Sequence, residues 1–124
     1  MGVSFFEELF MKFLVVMTMP PYGDSRLKPA CDFIDAVMNE DFELNVFFLS
    51  DGVWNVLKTI TPASDEWNPL VFFKKCSNSA GLYYCEAAGA RRGVVPEIAA
   101  SFFKMSSLAE LSDLTLHSDR VVVF

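Results

Sequence analysis

The stretch "FELNVFFLS", Phe42 to Ser50, decides the fold. Neighbouring side chains of an extended strand point to opposite faces, so Phe47 and Phe48 require apolar cover on both sides of one sheet. A sheet buried on both faces is a parallel sheet lying between layers of helices. The same demand recurs along the chain, since phenylalanine supplies 13 of the 124 residues and several occur as pairs (Phe5-Phe6, Phe72-Phe73, Phe102-Phe103). A single small domain has limited room to hide that much apolar surface, so part of it is expected to close against another chain.

On the N-terminal side, "KFLVVMT" (Lys12 to Thr18) is a β-branched apolar run stopped by the loop chemistry of "MPPYGD", and it reads as a central parallel strand. From Arg26 to Glu40 the apolar positions Leu27, Ala30, Cys31, Ile34, Val37 and Met38 recur every three or four residues, which marks one face of a helix. Asp24 or Ser25 is the candidate cap, and Pro29 is tolerated because it falls near the first turn. On the C-terminal side, "DGVWNVL" reads as a turn and a short helix, with Asp51 and Gly52 forming the bend. A further helix begins at Ser64 or, given Pro69, nearer Asn68, with Trp67, Leu70 and Val71 as its inner face. "GLYYC" is the third strand, and "EAAGARRG" a helical turn closed by Gly93. "SFFKM" (Ser101 to Met105) reads as a short strand, "SSLAELSDLTL" as a capped helix and "DRVVVF" as the last strand. The alternation implies an α/β fold: a three-layer α/β/α sandwich around a parallel five-stranded sheet.

The net charge of −6 repels phosphate backbones, and Lys74, Lys75, Arg91 and Arg92 are too few to form a basic stripe, so no direct nucleic-acid binding is expected. No run reaches the roughly 18 apolar residues of a membrane helix. "MGVSFFEELF" carries acids where a secretory leader needs a basic start, and Phe6 stands where a myristoylation motif needs Ser or Thr. The chain is therefore expected to be cytoplasmic, with no membrane association. Three cysteines at 31, 76 and 85 form no CxxC pair and no zinc spacing, and His117 is the single histidine. No metal and no cofactor are expected.

Cys85 is the candidate for chemistry. In a parallel sheet, ligands gather where strands end and helices begin, and Cys85 lies at that edge with Thr18–Gly23 and Ser50–Gly52. The N–H groups of Ala87, Ala88 and Gly89 open a helix, and such unpaired donors favour a negative charge. A thiolate so placed, or near arginine, ionises below the ordinary thiol value of about 8.5. Small side chains leave space around the sulfur, and Arg91 and Arg92 follow one turn later. The stretch suits an anionic sulfur species at a pocket mouth. A cysteine ending an apolar strand is also a common inert core residue. Cys31 lies on a core face and reads as packing. Cys76 follows two lysines and reads as partly exposed, a weaker candidate for a resolving thiol. His117 reads as a surface or capping residue, and Asp65-Glu66 as acids complementing a helix start.

"CEAAGARRGVVPE" is similar to the cysteine segment of the DsrE/TusD sulfur-relay family, and "PPYG", "FFLSDGVWN", "TPASDEWN" and "DRVVVF" resemble further family segments in the same order. The resemblance covers Lys12 to Phe124. Residues 1–11 are accordingly set apart as an N-terminal extension, either an added helical segment or residues upstream of the true start, and 12–124 form one domain. The resemblance implies a flavodoxin-like, DsrE-like fold and a sulfurtransferase in which Cys85 accepts sulfane sulfur as a persulfide. Ala87, Ala88, Gly89, Arg91, Arg92, Tyr22 and Gly23 would stabilise the persulfide or line its pocket, although the two arginines serve equally well as bonds to a neighbouring subunit. The implied partners are homologous DsrE-like subunits in a homo- or hetero-oligomer of hexamer type, a sulfur-donor protein and a DsrC/TusE-like acceptor. Such assemblies feed tRNA 2-thiouridine formation (TusB-TusC-TusD) or sulfur oxidation (DsrE-DsrF-DsrH). The family pattern has an apolar residue at Glu86 and Asp at Pro96, and the segment from Glu97 to Met105 is shortened. A non-catalytic structural or regulatory subunit with an inert cysteine is the alternative. An anion- or nucleotide-binding module ranks last, since no GxGxxG loop is present.

Overall fold

The computed structural model describes residues 11–124, with strands β1 (Lys12–Met17), β2 (Glu43–Phe48), β3 (Ala80–Cys85), β4 (Lys104–Ser106) and β5 (Arg120–Val123). They are joined by helices α1 (Leu27–Asn39), α2 (Pro69–Cys76), α3 (Glu86–Arg91) and α4 (Leu108–Leu116), with 3₁₀ helices at Ser50–Val56 and Pro96–Ile98. All strands pair in parallel, in the order β4-β3-β2-β1-β5. β1 is interior, between β2 and β5, while β2 takes the middle of the sheet. The N-terminal extension expected over residues 1–11 lies, apart from Met11, outside the described residues.

Register explains the layers. Val46 pairs with Val15 and Leu82, so Leu44, Val46 and Phe48 share one face of the sheet with Phe13, Val15, Met17, Leu82 and Tyr84. α1 and α2 cover that face: Phe33 meets Phe13 edge-on at 6.0 Å, and Phe73 meets Phe48 at 5.0 Å. Phe47, with Leu14 and Val16, turns to the other face. The steps from β1 to β4 all run in one direction, whereas the return to β5 runs back past β1. Right-handed crossovers therefore carry α4 over the opposite face. Phe47 and Phe48 are both fully buried, as the opening pair requires.

Several local expectations are corrected by tertiary context. α1 has Arg26 at its cap position and no side-chain cap. Asp24 instead accepts the N–H of Arg26 at 2.9 Å and pairs with its guanidinium at 2.8 Å, bracing the turn two residues ahead of the cap position. Arg26 holds the Asp24 carboxyl down at about 2, chiefly through the side-chain hydrogen bond. Ser64 does not start α2: Asn68 Oδ1 accepts the Leu70 N–H at 3.0 Å and Pro69 occupies the first turn. That start sets the helical phase, turning Phe73 and Cys76 inward and leaving Val71 exposed. The fourth strand is Lys104–Ser106 rather than Ser101–Met105, because Phe103 is taken by the core, 5.4 Å from Phe48. At the carboxyl edge, Gly52 lies in the 3₁₀ helix and passes so close to β1 that a Cβ there would overlap the Met17 carbonyl oxygen. The bend itself falls at Ser50, which has a positive φ of 53°.

Candidate functional site

Cys85 ends β3 and is the N-cap of α3. Its backbone is extended (φ −71°, ψ 122°), which turns the chain out of the sheet and aims the side chain back at the new helix. Sγ accepts the Ala88 N–H at 3.4 Å. The thiol thus occupies the place that a serine or aspartate oxygen takes in an ordinary cap, and it satisfies one of the donors a helix start leaves unpaired.

The helix above it is short because its sequence closes it. The N–H groups of Arg92 and Val94 both go to the carbonyl of Gly89, at 2.9 and 2.8 Å, and Gly93 adopts φ 73°. Gly89 is buried there, and a Cβ would stand 2.8 Å from the Val94 oxygen. Ala88 is also buried, whereas Glu86 and Ala87 are exposed. The small residues after the cysteine let α3 lie tight on its own closing turn as well as on the sulfur.

The sulfur does not sit at an open mouth. Cys85 is 2% exposed, so the expectation of a reachable sulfur is corrected, although the amide donor stands as expected. Burial follows from register: Cys85 pairs with Ser106 of β4, and parallel neighbours lie only about 4.8 Å apart. Ser106 is itself buried, and its hydroxyl donates to the Glu110 carboxylate of α4. This Ser106–Glu110 pair escaped sequence reasoning; the spacing of four across a strand–helix junction was its only signal. Asn55 was missed as well. It is fully buried, donating to the carbonyls of Met19 (3.0 Å) and Gly52 (2.9 Å), with Oδ1 left unpartnered among the described residues. It fastens the loop after β1 to the 3₁₀ helix that packs on α3.

The two arginines part company. Arg92 Nε pairs with Asp51 at 2.9 Å, and Nη1 donates to the Ala88 carbonyl at 3.0 Å, so it locks α3 to the 3₁₀ helix. Arg91 is exposed. Tyr22 and Gly23 line a different cavity, a cleft of about 570 Å³ whose wall includes Cys31 but not Cys85. Cys31 and Cys76 are buried, the latter against expectation, since the inward phase of α2 carries it into the core. Burial pushes both thiols up to about 12; Cys31 is raised further by neighbouring Cys76 and then Asp32, and Cys76 by Asp35. His117 is an exposed C-cap whose Nδ1 lies 2.7 Å from the Asp113 carbonyl oxygen. Among the described residues, no cluster of three or more His, Cys, Asp or Glu could hold a metal ion, and no helix is long and apolar enough to cross a membrane.

A family model described as DsrE/DsrF-like matches residues 11–124. Proteins called Sulfurtransferase TusD, from Salmonella typhi and from Salmonella paratyphi B, are each 34% identical over 128 residues, covering 92% of this chain and all of the relative. Among solved structures, the ychN protein from E. coli superposes with a TM-score of 0.85 at 23% identity, covering 93% of this chain and all of the other. The MTH1491 protein of unknown function from Methanobacterium thermoautotrophicum reaches a TM-score of 0.75 at 9% identity, covering 92% and 99%. At those identities the two structures speak for the fold.

Proposed function

The chain belongs to the DsrE/DsrF-like family, and within it we propose an intracellular sulfur carrier that accepts sulfane sulfur on Cys85 as a persulfide and passes it to an acceptor protein. The observation that supports this is the cap geometry: one cysteine, at the carboxyl edge of the sheet, whose sulfur already receives a helix N–H. The relatives named Sulfurtransferase TusD support sulfur transfer as the activity.

The chemistry balances without a cofactor. Cys85 loses its proton to solvent, and the thiolate attacks the outer sulfur of a donor persulfide. A new S–S bond forms on Cys85 while the donor's S–S bond breaks, its electron pair leaving on the donor thiolate. An acceptor thiolate then attacks the outer sulfur and releases the Cys85 thiolate. The Ala88 N–H stabilises the anionic sulfur at both ends of the cycle. Because Cys85 is covered, transfer requires a local opening that exposes the sulfur while the Ala88 N–H still holds it.

The assembly implied by the resemblance completes the reading. Homologous DsrE-like subunits form a homo- or hetero-oligomer, a sulfur-donor protein loads Cys85, and a DsrC/TusE-like protein unloads it. Of the two relays implied, tRNA thiolation is favoured over sulfur oxidation by the names of the relatives.

The test is mass spectrometry of the intact chain after incubation with a small persulfide donor. An adduct of about 32 Da, one sulfur atom, is expected on the wild type and lost in Cys85→Ser, while Cys31→Ala and Cys76→Ala keep it. An adduct that survives Cys85→Ser would overturn the assignment. A wild type that takes up no sulfur would instead favour a structural subunit with an inert cysteine, the reading to which the burial of Cys85 points.

A further inference from the structure

The cleft that holds Tyr22 and Gly23 has a chemistry of its own, independent of Cys85. Tyr22 Oη donates to the Trp67 carbonyl oxygen at 2.8 Å, tying the loop after β1 to the segment before α2. Trp67 and Phe72 form an aromatic wall, their ring centroids 6.0 Å apart and tilted by 47°. Around this wall stand three carboxylates, Asp32 and Asp35 from α1 and Glu66 from the facing segment, against one ammonium, Lys28. Lys28 is already engaged, 3.2 Å from Asp32. Glu66 accepts the Ala63 N–H at 2.9 Å, which leaves its other oxygen available. Asp35 has no hydrogen-bond or ion-pair partner among the described residues. Burial, followed by the charge of Glu66, pushes the Tyr22 hydroxyl up from its ordinary phenol value, so it stays protonated at the rim.

A surplus of carboxylate beside electron-rich ring faces is complementary to a cation on an apolar stem. It is the opposite of an anion or phosphate site. The rim chooses between a free cation and one carried by a chain. Tyr22 and Trp67 are 41% and 38% exposed, apolar surface that a small hydrated ion would leave uncovered and that the residues flanking an inserted side chain would bury. The volume of about 570 Å³ accepts one long side chain together with parts of its neighbours. The chain's net charge of −6 steers basic segments towards it. Cys31 in the wall is a protonated thiol and adds only apolar surface.

We propose that this cleft docks a protein partner by taking in one arginine side chain flanked by apolar residues, its stem against Trp67 and Phe72 and its guanidinium between Asp35 and Glu66. Arginine suits the site better than lysine, because the planar guanidinium stacks on an aromatic face and bridges two carboxylates.

The test uses the full chain labelled with nitrogen-15. The Trp67 indole N–H signal, assigned with Trp67→Phe, is followed during titration with acetyl-Ala-Leu-Arg-Leu-Ala-amide, the same peptide with citrulline for arginine, and free arginine amide. A saturable shift is expected with the arginine peptide, with affinity at least about tenfold above the citrulline peptide. Asp35→Asn and Glu66→Gln, nearly isosteric changes whose folding the same spectra verify, are each expected to weaken binding by about three- to tenfold. Cys85→Ser should bind unchanged, which keeps this result separate from the fate of the sulfur-carrier reading. Three outcomes overturn the proposal: no saturation up to millimolar peptide, equal binding of the citrulline peptide, or free arginine amide binding as tightly as the peptide, which would make the cleft a small-cation site.

Discussion

Cys85 on one side and Cys31 with Cys76 on the other are hidden to nearly the same degree, at 2%, 7% and 1% exposure, yet their surroundings differ in kind. Cys31 projects from the middle of α1 and Cys76 from the end of α2, where the helical N–H groups are already spent on the backbone. Burial, helped by Cys76 and Asp32 beside Cys31 and by Asp35 beside Cys76, then pushes both thiols up to about 12. Cys85 stands one residue before a helix, where N–H groups have no backbone acceptor, and one of them reaches its sulfur. Exposure therefore does not distinguish Cys85 from the two packed cysteines. What separates them is whether the sulfur faces the donor end of a helix or its side.

The sharpest way to break this comparison is sulfur loading. If donor direction decides, Cys85→Ser removes the persulfide adduct completely, and neither Cys31→Ala nor Cys76→Ala reduces it by more than a small factor. The next largest effect comes from disturbing the donor while leaving the sulfur. Gly89→Ala forces a Cβ against the Val94 carbonyl oxygen, and a loss of about 1–3 kcal/mol is expected in urea denaturation, as for other overpacked sites, together with slower loading of Cys85.

The buried pair yields a pH signature. A thiol held protonated in the folded chain but free to ionise near 9 when unfolded contributes stability that is fully present below pH 9. That stability is lost as pH rises towards about 12. Between about pH 10 and 11, unfolding free energy should fall by about 1.4 kcal/mol per pH unit for each such thiol, and Cys31→Ala should lower the slope by one share. An unchanged slope would show that burial does not hold that proton. The smallest effect concerns the brace on the Cys85 side. Asp51 is largely exposed, so a double-mutant cycle of Arg92→Gln and Asp51→Asn should give a coupling below about 1 kcal/mol.

Legibility in the sequence followed the range of the interactions involved. The alternation of strands and helices was readable because β-branched runs and three-to-four spacing are local properties, and Phe47-Phe48 alone demanded two covered faces. The cap at Cys85 and the closing Gly93 were readable for the same reason, since every group involved lies within nine residues in sequence. The phase of α2 was harder: whether Val71 or Phe73 faces inward depends on the helix starting at Asn68–Pro69, and a shift of two residues reverses the answer. Tyr22 was assigned to the cysteine pocket because both lie at a strand's carboxyl end. The loop after β1 instead bonds across to Trp67, and nothing in the spacing of positions 22, 67 and 85 records that choice.

From its order of residues alone, this chain was committed to a parallel sheet wrapped in helices, with one cysteine at a strand-to-helix turn, because backbone periodicity and capping act over a few residues. Folding in three dimensions decided how deeply that sulfur is covered, that Ser106 and Glu110 stand beside it, that Arg92 serves as a brace, and that an acidic aromatic cleft opens elsewhere. Those outcomes depend on which strands become neighbours and on how helices settle over them, contacts between residues far apart in sequence that no short stretch can encode.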